Sequence, residues 1–134
     1  MSMCNCKCNC TIAAVVASLI AGIIAAFLQI TAVITVAPAF LWVALGIAVG
    51  FLGILTLTAG TSCCVRAGDC RCAALNALLA AILGTILFSV ILLAAGIVAT
   101  SIISAILVGI LVFFLTLTFT EAACYVRALA ACDQ

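Results

Sequence analysis

The residues best equipped for chemistry in this chain are its cysteines. Ten of the 134 residues are cysteine. Four alternate with small or polar residues at the start, Cys4, Cys6, Cys8 and Cys10, and the others are Cys63, Cys64, Cys70, Cys72, Cys124 and Cys132. Three chemistries suit them. The first is disulfide cross-linking, which persists in oxidising surroundings. Neighbours such as Cys63-Cys64 and the CxC pairs are poorly placed to bridge within themselves, because bridged Cα atoms stand about 4.4–6.8 Å apart with specific Cβ directions. They suit bonds to other segments or other copies. The second is a soft-metal thiolate site for Zn, Cu or Fe–S, with Cys6, Cys8, Cys70 and Cys72 as candidate ligands. CxxC zinc spacing is absent, however, and the chain has no histidine. The third is acylation of cysteines that flank membrane segments.

Other chemistries lack their parts. The three acids have no histidine base to work with and no evident pairing. No phosphate-binding glycine loop occurs, and the CxxC of thiol oxidoreductases is missing. The chain reads as a non-enzyme that needs no cofactor. Four basic residues leave no footprint for nucleic acid.

The elements that carry the cysteines are apolar to an unusual degree. Hydrophobic residues make up 71% of the chain and charged residues 5%, with a mean hydropathy of +1.69. Soluble domains are about half apolar and a quarter charged. A chain this short cannot bury such a surplus in its own interior. The partners expected are therefore lipid, or another hydrophobic assembly, and copies of the chain itself.

Four runs are long enough to cross a bilayer as helices: about Ile12 to Val36, Ala39 to Thr58, Ala73 to Val98, and Ser101 to Thr120. Pro38 breaks the first from the second. The run after Lys7 is about 25 residues, longer than the apolar region of a secretory leader, and reads as a span. Membrane strands would alternate apolar and polar residues over about ten positions, whereas these runs are apolar throughout and rich in Ala and Leu.

The chain also repeats itself. Cys6-Lys7-Cys8 matches Cys70-Arg71-Cys72, Gly22-Ile23-Ile24 matches Gly84-Thr85-Ile86, and Leu55-Thr56-Leu57-Thr58 returns as Leu115-Thr116-Leu117-Thr118. Cys64 and Cys72 map onto Cys124 and Cys132. The fold expected is all-α: two tandem parallel helical hairpins forming a four-helix bundle, with a cysteine-rich cap on one side. The divisions are an arm over 1–11, hairpins over 12–58 and 73–120, a cysteine-rich loop over 59–72 and a C-terminal segment over 121–134. Two crossings per repeat return the chain to one side, so every cysteine and every charge falls on the cap. Cys4, Cys6, Cys8 and Cys10 suit bonds to neighbouring copies, while Cys64, Cys72, Cys124 and Cys132 suit bonds between the hairpins.

The expected spans hold no ionisable residue. Such residues mark ion paths and substrate sites in membranes, so a transporter or channel subunit ranks third among the readings, behind a structural assembly and a membrane-anchored thiolate metal protein. Gln29 is the one amide deep in a span, where a hydrogen bond across the bundle is expected. Small residues recur at four-residue spacing: Ala13, Ala17, Ala21 and Ala25; Ser18, Gly22 and Ala26; Gly46 and Gly50. Such rows allow helices to approach closely, either within the bundle or between copies. Trp42 is an interfacial anchor or a packing residue.

All four Lys and Arg lie on the cap, which the positive-inside rule turns toward cytosol. Cytosolic thiols are normally reduced. The conflict disappears for an assembly that ends outside a living cytosol. The opening Cys-Asn-Cys-Lys-Cys-Asn-Cys run is similar to small cysteine-rich proteins of bacterial spore coats and exosporia. That resemblance covers the first ten residues and the cysteine habit, and implies a cross-linked surface layer.

Overall fold

The computed structural model describes residues 9–59, 70–95 and 101–132. They form four helices: α1 (Asn9–Ile30), α2 (Pro38–Ala59), α3 (Cys70–Ala95) and α4 (Ile102–Cys132). Each is long and apolar enough to cross a membrane. Few polar side chains interrupt them, and several of these turn back on the helix. Ser18 donates to the Ala14 carbonyl at 2.7 Å, Thr85 to Ala81 at 2.9 Å and Thr118 to Phe114 at 2.9 Å. A hydroxyl bonded one turn back suits lipid, where unsatisfied polar groups are costly.

Two helix limits differ from those expected. α1 stops at Ile30, well before Pro38. The chain closes it with a Schellman arrangement: Ala32 N–H donates to the Gln29 carbonyl and Val33 N–H to the Leu28 carbonyl. Ala32 takes the left-handed conformation this needs, with φ 54°. The β-branched run Ile30-Thr31-Ala32-Val33-Ile34-Thr35-Val36 gives up helix there at little cost. At the other end of the chain, α4 does not stop near Thr120 but continues through Cys132. Its 31 residues measure about 46 Å, beyond the ~30 Å hydrocarbon core. The expected C-terminal segment over 121–134 is, as far as Cys132, the continuation of this helix.

α4 is the central element. It packs along α1 on one side and α3 on the other, while α2 packs mainly on α3. Cys10 meets Cys124 and Gly22 meets Gly109, so α1 and α4 are antiparallel. Gly84 meets Phe114, while Leu92 packs with Val108 and Leu111, which makes α3 antiparallel to α4. α2 is antiparallel to α3, with Leu41 beside Leu92 and Leu55 in one cluster with Leu78. The starts of α1 and α3 and the ends of α2 and α4 therefore share one end of the molecule. The packing partners differ from two self-contained hairpins, since α1 lies on α4 and not principally on α2.

Two glycines bring their helices close to α4. Gly22 and Gly84 both press on α4 at adjacent residues. A Cβ on Gly22 would stand 2.8 Å from the Gly109 carbonyl oxygen and 2.9 Å from Phe113 Cβ. A Cβ on Gly84 would meet the Phe114 ring at 2.6 Å. Phe114 in turn stacks on Phe88 of α3. Nearer the cysteine end, Ala14, Ala81 and Leu117 form a small three-helix core.

The outward faces are as apolar as the inward ones. Leu57 is 80% exposed, Ile103 71% and Phe27 65%. Helices that are hydrophobic all round belong in a membrane or a large apolar interior.

Candidate functional site at the cysteine end

On α4, Leu117, Thr118, Glu121, Cys124 and Tyr125 recur at three- and four-residue steps, which place them along one helix face. The first turns of α1 bring Cys10, Thr11 and Ala14 opposite. Cys10 and Cys124 are joined by a disulfide, with Cα atoms 6.1 Å apart. Cys10 is exposed and Cys124 half-buried.

One turn below the disulfide lies Glu121, which is 0% exposed. The Thr11 hydroxyl donates to Glu121 Oε2 at 3.4 Å, a long hydrogen bond. Oε1 is buried and has no partner among the described residues. Sequence reasoning placed Glu121 on the exposed cap with the other charges, and the structure corrects that: the carboxyl is packed between α1 and α4. The available signal was register. Ser104, Val108, Leu111, Thr118, Glu121 and Tyr125 continue one buried stripe on α4.

The disulfide also revises a cysteine assignment. Cys10, expected among those reaching to neighbouring copies, is bonded within the chain. Cys124 does connect the first half of the chain to the second, but through α1. Cys70 and Cys72 fall in the first turn of α3, and Cys132 closes α4. Their side chains lie outside the described set, as do Cys4, Cys6, Cys8, Cys63 and Cys64. The candidate ligands Cys6, Cys8, Cys70 and Cys72 are therefore not described. Among the described residues, no three cysteine or acid side chains gather as a metal site would require.

The small residues divide. Gly22 is in the tight α1–α4 crossing, where Gly109 faces Ala26. Ala21 is half-buried and Ala17 exposed. Gly46 and Gly50 are exposed, with open space where a Cβ would be. Trp42 is 63% exposed at the start of α2. Gln29 is fully buried, and neither amide atom has a partner among the described residues. A groove of about 390 Å³ runs beside the Gly22–Gly109 crossing, lined among others by Leu19, Ile23, Ile106 and Phe113. With no polar group converging on it, it offers shape without chemistry.

No protein-family model matches the chain, and no curated protein or solved structure matches it either.

Proposed function

We propose that this is a structural, self-assembling membrane protein without enzymatic activity. Copies pack through their outward apolar helix faces, in a bilayer or a protein-only hydrophobic layer. The cysteine end is locked by disulfides, within each copy and between copies, as in a surface layer formed under oxidising conditions.

The observation that carries this reading is the Cys10–Cys124 bond, which ties α1 to α4 over a sequence separation of 114, at the end that also holds the first turn of α3 with Cys70 and Cys72. A bond there fits a cross-linked cap in which the remaining cysteines face other copies. The apolar outer surface supports the reading too, because exposed apolar area on this scale requires lipid or further protein to cover it. Gly46 and Gly50 on α2 give copies a place for close helix contact.

The test is extraction of the full chain in mild detergent without reductant, followed by a denaturing gel with and without a reducing agent. The expected result is a ladder of multimers that collapses to the 13.6 kDa monomer on reduction. A monomer in both lanes contradicts the reading.

A further inference from the structure

A structural cross-link has no use for a buried carboxyl on the next turn, and that carboxyl is the observation to explain. A carboxyl buried with one oxygen unpartnered among the described residues is costly and points to a function. The geometry points to Cys10–Cys124 as an exchange-active disulfide, in which an incoming thiolate attacks Cys10 Sγ, Cys124 departs, and Glu121 gives the departing sulfur its proton.

Access selects the sulfur that is attacked. Cys10 is exposed and Cys124 half-buried, so the thiolate reaches Cys10 first. Cys124 is then the leaving group, on the sheltered side where the carboxyl lies. Glu121 precedes Cys124 by three residues and shares its helix face. Thr11, next to Cys10 in the chain, donates to Oε2 and so holds the carboxyl against the turn of α1 that carries Cys10. Oε1 has no partner among the described residues and is the atom that can carry a transferable proton.

Among the described residues, α3 contributes Leu75, Leu78 and Leu79 at this level, packed with Ala122 of α4 and Leu55 of α2. On α4 itself Tyr125 is buried and Arg127 is exposed.

The step balances. The pair of electrons in the Cys10–Cys124 S–S bond goes to Cys124 Sγ, which takes the Glu121 proton and becomes a thiol. A new S–S bond joins the incoming sulfur to Cys10, and Glu121 is left as carboxylate. One disulfide replaces another, with no net oxidation. The carboxylate recovers its proton from water at half-buried Thr11. The attacking thiolate belongs to a small thiol or to a cysteine of a second copy; the chemistry is the same. The inference is independent of assembly, since exchange at Cys10 is measurable on a monomer.

The test uses the oxidised full chain in detergent micelles. Reduced glutathione is added, the reaction is quenched with acid at intervals, free thiols are alkylated, and the peptides carrying Cys10 and Cys124 are weighed. Glutathione should appear on Cys10 and a free thiol on Cys124. E121Q should slow the exchange at least about tenfold, since a placed proton donor contributes that much or more, and in denaturant the two chains should react alike. E121Q exchanging at the wild-type rate, or glutathione accumulating on Cys124, overturns the inference. Should E121Q fail to form the disulfide, T11V decides: it keeps the carboxyl and loses its tether, and slower exchange supports the inference while an unchanged rate sinks it. A parallel reaction without glutathione mixes isotopically light and heavy copies. Cross-linked peptides containing Cys10 assign the thiolate to a second copy, and glutathione adducts alone assign it to small thiols.

Discussion

The side chains that decide this protein's behaviour are few, because most of its surface is interchangeable hydrocarbon. Cys10 and Cys124 close a loop of 114 residues. Such a loop constrains the unfolded chain strongly, and losing the bond costs about 2–4 kcal/mol. C124S should therefore lower the thermal midpoint in detergent under oxidising conditions, with no difference from the wild type once both are reduced. A drop that survives reduction would assign the loss to packing instead. Gln29 works in the opposite direction. Its amide is buried without a partner among the described residues, and an unmet buried polar group costs about 1–3 kcal/mol. Q29L should raise stability by about 1 kcal/mol or more, read as an upward shift of the same midpoint. A destabilised Q29L would mean that the amide is satisfied in the membrane. The cysteine positions were plain in the sequence, but the pairing was not. Ten cysteines permit too many connectivities, and the choice of Cys10 depends on which helix α1 packs against. Glu121 is hidden from sequence reading for a related reason: the apolar run ends at Thr120, but α4 continues through Cys132 and carries the carboxyl inward.

At the scale of elements, four long apolar helices were readable from run length alone, because ~20 residues at 1.5 Å each match the bilayer. Their ends were harder to read. Pro38 marks the start of α2, as a proline at a first helical position does. The end of α1 is set instead by Ala32, a residue with no preference for the left-handed conformation it adopts. Glycine is at ease there, so A32G should stabilise the protein by up to about 1 kcal/mol; a loss would show that the turn owes its form to other contacts. The helix crossing gives a sharper contrast. A side chain on Gly22 would run into the α4 backbone, and overpacking of this kind costs about 1–3 kcal/mol. G22L should lower the midpoint accordingly. G46L meets open space and should leave the monomer's midpoint unchanged while weakening association between copies, measured by light scattering in detergent. A G46L monomer as damaged as G22L would place Gly46 inside the bundle. Spacing could not separate these glycines, since both lie in similar rows of small residues.

For the whole molecule, the order of packing matters more than composition. α1 and α3 run in the same direction on either side of α4, and Gly22 and Gly84 dock on the adjacent Phe113 and Phe114 of α4. The fourth helix serves as a shared spine, which the sequence did not announce: each hairpin read in isolation invites its own two helices to pair. Adjacency along the chain gave way to the close fit that Gly22 and Ala26 of α1 make with Gly109 of α4. The result is a plate of helices with an apolar exterior and a disulfide at one end. The disulfide end is proposed to be oxidised, and a thiol count measures that state. Material prepared without reductant is denatured and alkylated in three portions, untreated, with a chelator and after reduction, and the intact chain and its peptides are weighed. Cys10 and Cys124 should take up label only after reduction, together with most of the remaining cysteines. Labelling without reduction, or labelling released by the chelator alone, would contradict the account and identify the end as free thiols or a metal site.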